Sequence, residues 1–344
     1  QGRDVNLDIA RVVGYRNFCN KLWNAVRFAL TYITDLEPSG ALHRQLMEAR
    51  HAAAPRDRWI LSRLNTAVQD CNKCMEEYRF GDFTTAGYGF WLYDLCDVYL
   101  ELIKPVVNDK SDVNSKARWI AQACLYTCLD YGLKLLHPVM PYVTEELWQR
   151  LPGRGNMGPD ESPSIMLAPY PQADVTLDDP ACESAMGTMK TLIHAGRSLR
   201  STYNIKPSVK ADFYIRTSSE ERHKITLSQK DDFSTLVKAA TTTTMLNEDP
   251  PAGCSVHIVD DQTQVHIQLR GLVDFDVEIL KLQKQLDTKV ETQISSLTKK
   301  MEAAGYEEKV PLIIRETNTK KLNEYKAERE TILKAMEQFR ALMA

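Results

Sequence analysis

The sequence predicts a mainly α chain: an antiparallel helical bundle, followed by a small α+β junction unit and a C-terminal antiparallel coiled-coil hairpin. Three observations carry this. Over residues 1–150 apolar residues recur at steps of three and four. In residues 209–216, 255–259 and 264–269 the period shortens to two. From Leu322 to Met343 the apolar steps alternate three and four, a heptad seam. The expected domains are 1–150, the bundle; 151–271, linker, helix and junction; and 272–344, the coiled-coil arm. A chain of 344 residues with 43% hydrophobic content can hold two or three such cores.

The opening helix is the most informative element. Val12, Tyr15, Cys19, Leu22, Trp23, Val26 and Leu30 fall on one side and predict a core face. Arg16, Asn20, Asn24 and Arg27 fall on the other, flanked by Asn17, Lys21 and Phe28. Between Ile9 and Leu30 there are four basic residues and no acidic one. A solvated face usually pairs Glu with Lys at i,i+4, and Asn is a poor helix former. Cations, amides and an outward aromatic suit RNA: cations meet phosphates, amides meet base edges, and an aromatic ring stacks on a splayed base. The other reading keeps the Asn residues for neighbouring helices and the Arg residues for solvent. Periodicity alone does not choose.

A polar linker, residues 37–55, holds one short helix. Asp57, the predicted N-cap, opens a long helix to about Tyr78, with Trp59, Ile60, Leu64, Ala67, Val68 and Cys71 at helical spacing. Phe80-Gly81-Asp82 breaks the pattern. An aromatic-rich helix, Phe83 to Lys104, is expected to stop before Pro105. Another spans Ser115 to Leu136. His137-Pro138 makes a bend, where a histidine commonly satisfies carbonyls rather than catalyses, and a short fifth helix opens near Thr144. Gly, Pro, Ser and Asp cluster in 151–180, which reads as loop and boundary.

A helix then runs from Ala181 to about Thr202. Its acidic start and its basic end, Arg197 and Arg200, suit the helix dipole, although those arginines also have the reach for RNA. Val209 to Arg216 reads as a strand and Glu220 to Ala239 as a helix. A short strand is expected near Met245-Leu246, and a hairpin turns at Asp260-Asp261-Gln262. His257 and His266 are expected as exposed strand residues, not ligands. In the arm, the seam Leu322, Tyr325, Arg329, Ile332, Met336, Phe339, Met343 matches a stripe of Leu286, Val290, Ile294, Leu297 and Met301. The hairpin tip lies near Gly305-Tyr306 and Val310-Pro311. Lys299, Lys300, Lys320 and Lys321 are candidate phosphate contacts only if they cluster on one face.

The net charge of -3 excludes a wholly basic nucleic-acid binder, so any RNA contact must be local. No apolar run approaches a bilayer span and no signal peptide is recognised, so no membrane partner is expected. Eight scattered cysteines read as reduced, mostly buried thiols of a cytoplasmic protein. Cys71-x-x-Cys74 lacks a second ligand pair for zinc and a preceding strand for a redox motif, so packed thiols are expected and no metal site.

Arg16-Asn17-Phe18-x-Asn20-Lys21-Leu22-Trp23-Asn24-Ala25-x-Arg27-Phe28 resembles the opening helix of the anticodon-binding domain in class I aminoacyl-tRNA synthetases of the valine, isoleucine and leucine group. Gly2-Arg3-Asp4-Val5-Asn6-Leu7-Asp8 is similar to the segment that follows their catalytic domain. Asp57-Arg58-Trp59-Ile60-Leu61-Ser62-Arg63-Leu64 and His137-Pro138-x-x-Pro141-Tyr142-x-Thr144-Glu145-Glu146-Leu147-Trp148 resemble two further blocks of the same domains. Bundle, junction and coil in this order most closely resemble valine–tRNA ligases. Gly271-Leu272-Val273-Asp274 and Gly305-Tyr306-x-x-Lys309-Val310-Pro311 are similar to the valine pattern.

The resemblance implies a ligase region that recognises the anticodon loop and outer corner of tRNA-Val. Arg16 and Lys21 would serve phosphates or base edges, Asn17, Asn20 and Asn24 base edges, and Phe28 stacking, with Arg27 on the same face. The HIGH-like and KMSKS-like motifs of class I synthetases do not occur, and no Gly-rich phosphate loop replaces them. The resemblance therefore implies no catalytic residue and no cofactor in this chain; ATP would be used by a catalytic domain outside it. It also implies a monomer, with translation-factor partners for the full-length enzyme. The alternatives are the equivalent region of an isoleucine–tRNA ligase, or a non-catalytic scaffold that dimerises through its coil.

Overall fold

The computed structural model describes residues 8–33, 36–153, 162–272, 275–302, 306 and 310–343. The chain divides into two compact units. The first holds residues 1–191 together with 231–236; the second holds 192–230 and 237–344. The segments 2–7, Val273-Asp274, Gly305 and Lys309 of the family-like motifs lie outside the described residues.

The first unit is a helical bundle. Its helices are α1 (Ile9–Leu30), α2 (Leu42–Ala49), α3 (Pro55–Glu76), α4 (Phe80–Gly89), α5 (Leu100–Asn108), α6 (Ser115–Leu136) and α7 (Pro141–Gln149), followed by the start of α8 (Pro180–Thr202). Trp59, Trp91, Trp148, Tyr99 and Phe83 are its largest fully buried side chains. A large aromatic lost from such a core costs about 3–5 kcal/mol.

Between α4 and α5 the backbone is a π-helix, Phe90–Tyr99. The rod continues through Pro105, which lies inside α5. The expected stop before that proline is thus corrected. Only three residues of α5 follow it, so the missing N–H interrupts the ladder only at the end. The π segment is pinned through Asp94, which accepts from Arg63 Nε and from Lys190 Nζ, each at 3.1 Å.

The core face of α1 is shorter than its sequence pattern. Leu22, Ala25, Val26 and Ala29 are buried, but Val12, Tyr15 and Trp23 are exposed. Periodicity reports a stripe, not the length over which a partner covers it. Asp57 is not the N-cap either: Ala54 is, with Pro55 at the first helical position. Asp57 lies a turn inside and is buried, accepting from Tyr99 Oη at 2.7 Å.

The second unit carries the end of α8 and a four-stranded sheet. Its strands are β1 (Ala211–Thr217), β2 (Ala239–Leu246), β3 (Cys254–Ile258) and β4 (Thr263–Gln268), in the order β2-β1-β4-β3. β1 and β2 run parallel, and β4 is antiparallel to both β1 and β3; between β1 and β2 the chain forms α9 (Glu220–Ser228) and α10 (Lys230–Val237), of which residues 231–236 belong to the first unit. Where one helix was expected over 220–239, Gln229 separates two. β2 is longer than the expected short strand, because its threonine run pairs with β1 along Phe213–Thr217. His266 is 7% exposed, not an exposed strand residue, since β4 lies between two neighbours. Arg200, a suggested RNA contact, is buried and donates to the carbonyls of Lys206 and Val209 at 2.5 and 2.7 Å.

The arm consists of α11 (Phe275–Gln285), a π turn (Leu286–Val290), α12 (Glu291–Met301) and α13 (Leu312–Met343). Leu286, Val290, Ile332 and Met336 form its buried core, with Ile279 and Ile294 packed against them. The side chains of Phe339 and Met343 lie outside the described residues. Arg329 Nε donates to Glu291 Oε1 at 2.7 Å, and Lys289 Nζ approaches Glu328 Oε1 at 3.5 Å. These two pairs fix an antiparallel register.

Candidate nucleic-acid interface

α1 presents the site because one of its faces is anchored and the opposite face is left to solvent. Phe18 packs on Tyr88 with ring centroids 4.6 Å apart. The Arg150 guanidinium stacks over Trp23 at 5.1 Å. Beyond these anchors, Arg16, Asn17, Asn20, Asn24 and Arg27 are all exposed. Among the described residues neither Arg16 nor Arg27 has a carboxylate within ion-pair distance. The acid-free run in the sequence is therefore also a face with unneutralised cations.

Lys21 differs from its neighbours. Its Nζ donates to Asp97 Oδ1 at 2.8 Å, and both side chains are half exposed. Phe28 is half-buried. Its ring meets Tyr32 edge-on at 4.6 Å, and the Lys104 ammonium lies 5.0 Å from its centroid. Lys104 also donates to Glu101, one turn earlier.

These side chains line one groove of about 290 Å³, formed by Lys21, Asn24, Ala25 and Phe28 of α1 with Cys96, Leu100, Glu101 and Lys104 across from them. Sequence reasoning found the α1 wall and missed the other, which starts some 75 positions later and which no local pattern marks. An aromatic-rich segment reads as core, and its polar face carries no motif. Burial pushes the Cys96 thiol up to about 11, so it is neutral here.

In the arm, Lys299, Lys300, Lys320 and Lys321 are exposed. The register set by Arg329–Glu291 and Lys289–Glu328 brings residues 299–300 level with residues 318–321. Lys300 and Lys321 each precede a half-buried seam residue, Met301 and Leu322, and so flank the same side of an antiparallel pair. Lys299 and Lys320 lie one position further round, on the backs of their helices. Two of the four lysines thus share a flank, and all four share a level.

Other groups singled out in the sequence have structural settings. His137 Nδ1 is 2.8 Å from Thr144 Oγ1. Cys71 and Cys74 are buried, and burial pushes the Cys71 thiol up to about 12. All eight cysteines are free thiols. No group of His, Cys, Asp and Glu suited to a metal occurs among the described residues. Likewise, no described helix is long and apolar enough to cross a membrane.

Residues 57–215 match the family described as the anticodon-binding domain of tRNA ligase. Residues 274–340 match the valyl tRNA synthetase tRNA binding arm. α1 precedes the first match but is covered by full-length relatives. A valine–tRNA ligase of Takifugu rubripes is 40% identical over 100% of this chain and 28% of its own length. The Homo sapiens valine–tRNA ligase is 39% identical, over 100% of the chain and 26% of its own length. A mitochondrial valine–tRNA ligase of Saccharomyces cerevisiae is 34% identical, over 99% of the chain and 30% of its own length. The chain therefore spans between a quarter and a third of these relatives. An anticodon-binding bundle and a valine-type tRNA-binding arm occur here in one chain, in order: it belongs to the valine–tRNA ligase family, as its tRNA-recognition region.

Proposed function

We propose that this chain recognises tRNA-Val by two contacts, the anticodon loop on the outward face of α1 and the outer corner of the tRNA on the arm. The carrying observation is the exposed face of Arg16, Asn20, Asn24 and Arg27 beside a groove walled by Phe28. Arg16 and Arg27 meet phosphates; Asn17, Asn20 and Asn24 meet base edges; Phe28 offers its ring to an unpaired base. Lys21 joins the phosphate contacts only on leaving Asp97. Lys299, Lys300, Lys320 and Lys321 meet phosphates of the tRNA body.

In the full-length enzyme these contacts hold the acceptor end in place for ATP-dependent attachment of valine. ATP belongs to the part of the enzyme outside this chain, which is also where translation-factor partners would attach. The hairpin buries its seam against itself, which favours a monomer over a coiled-coil dimer. A cytoplasmic location, supported by the free thiols, completes the proposal.

The test is binding of this chain to tRNA-Val transcripts, with native and altered anticodons, across a salt series. Native transcripts should bind best, with a negative slope of log affinity against log salt. Phe28→Ala should weaken native binding about tenfold, the scale of one stacked base. Equal affinity for all anticodons, or for Phe28→Ala and wild type, would remove the α1 contact from the proposal.

A further inference from the structure

We infer that Asn318 and Tyr306 are positioning residues for the tRNA contact of the arm: their buried hydrogen bond locks the register of the hairpin and so keeps its four lysines level. The inference rests on the arm reading above and adds to it the device that holds the cations in place.

The distal part of the arm has little apolar burial to define it. The buried core of Leu286, Val290, Ile332 and Met336 lies on the far side of the Arg329–Glu291 pair from the lysines. Toward the tip, Leu297, Met301, Leu322 and Tyr325 are only half-buried. Among the described residues between Val290 and Ile332, the two buried ones are Tyr306 and Asn318, at 9% and 7% exposure.

Asn318 extends the seam of Leu322, Tyr325, Arg329, Ile332 and Met336 by one step of four toward the tip. A coiled coil ordinarily carries an apolar residue at such a position. Here the Asn318 amide donates from Nδ2 to Tyr306 Oη at 2.7 Å. Tyr306 is itself tied to the chain entering α13, because Val310 N donates to its carbonyl at 3.1 Å.

Apolar contacts are non-directional. A slip of one heptad still sets apolar on apolar, and it moves one helix by about 10 Å along the other. A buried amide and hydroxyl, in contrast, meet in one register only. Any other register leaves both groups out of water without a partner, the costly arrangement. A single buried asparagine specifies coiled-coil register in this way, at a cost in stability. The exposed Arg329–Glu291 and Lys289–Glu328 pairs are weak by comparison. Lys299 and Lys300 fall between Glu291 and Tyr306, and Lys320 and Lys321 between Asn318 and Arg329. All four cations therefore lie between the two links, and a slip would carry them out of level.

The experiment uses the whole chain with Tyr306→Phe, which removes only the hydroxyl, and Asn318→Leu, which makes that seam position apolar. Register is read with a short amine-reactive cross-linker, folding by circular dichroism and urea unfolding, and binding by the salt slope with tRNA-Val transcripts. In the wild type the Lys300–Lys321 link should dominate. Each variant should keep its helicity, lose that link to others displaced along α13, and flatten the salt slope by up to about 1.8, two duplex phosphate contacts. The double variant should flatten it no further, since both changes remove one bond. Asn318→Leu should do so without lowering the urea midpoint, a loss of binding that a purely structural role would not produce. An unchanged cross-link pattern or a loss of helicity in either variant overturns the inference while the arm reading stands. Displaced cross-links with an unchanged slope overturn the arm reading and the inference with it.

Discussion

Lys21 on α1 and Asp97 in the π segment, 76 positions apart in sequence, meet at 2.8 Å. The pair holds the one α1 cation at the groove in a protein contact. An exposed ion pair of this kind is worth about 0–1 kcal/mol, so its loss leaves the bundle folded. On the proposed RNA contact its consequence would lie in binding, because a phosphate would have to compete with Asp97 for Lys21.

Asp97→Asn should therefore strengthen tRNA binding and make it more sensitive to salt. One added phosphate contact on a single-stranded loop steepens the log–log slope by about 0.7. Lys21→Gln in the wild-type background should change the slope little, but in the Asp97→Asn background should return it to the wild-type value. Slopes that do not differ between wild type and Asp97→Asn would mean Lys21 takes no part in RNA contact.

The Asp57 carboxyl supplies a test of stability. It is buried between Arg56 and Tyr99, and burial pushes it up to about 6. The unfolded value is near 4. The fold thus favours the protonated form, so this group's contribution is fully present below about pH 4 and is lost as pH rises through 6. Linkage sets the loss at up to about 3 kcal/mol. Other carboxyls shift the opposite way, among them Asp109, Asp174 and Asp260, which their hydrogen bonds lower. The informative quantity is therefore the difference between wild type and Asp57→Asn, which keeps an acceptor for Tyr99. In urea unfolding, the variant should gain on the wild type as pH rises from 4 to 7. A constant difference would place Asp57 outside this linkage.

Much of this architecture was legible because helices and heptads write their faces locally. The seam Leu286, Val290, Ile332, Met336 was readable residue by residue, and so was the face Arg16, Asn20, Asn24, Arg27. Glu101 and Lys104 were not: they reach the site through a π-helical detour whose spacing breaks the period a sequence scan relies on. The burial of His266 and the length of β2 were hidden for another reason. Both depend on strand neighbours far away in sequence, and alternation reveals a strand without revealing its place in the sheet.

Gly132 on α6 marks a close approach that a methyl group would spoil. The Trp91 indole donates to the Gly132 carbonyl at 2.9 Å, and a Cβ at 132 would lie 2.9 Å from Trp91 Nε1. Trp91 is fully buried in the π segment and has no open space to retreat into. Gly132→Ala gains helix propensity of roughly 1 kcal/mol but overpacks a core site, which costs about 1–3 kcal/mol. Net destabilisation is expected, visible as a lower urea midpoint. Because the π segment leads into the groove wall, tRNA affinity should fall with it; a more stable variant would show that the backbone yields instead.

The arm gives the last prediction. Lys300 and Lys321 share a flank and a level, whereas Lys299 and Lys320 lie on the backs of their helices. A tRNA body docking on that flank meets the first pair before the second. Lys300→Gln with Lys321→Gln should therefore flatten the salt slope by about 1.8, two duplex phosphate contacts. Lys299→Gln with Lys320→Gln should flatten it by less. Both doubles change the same charge on exposed positions, so stability should stay within about 0.5 kcal/mol of wild type and the comparison isolates direction. Equal slopes for the two doubles would mean that the arm acts as a cationic rod without a preferred face. A larger effect from the Lys299 and Lys320 pair would turn the docking face to the backs of the helices.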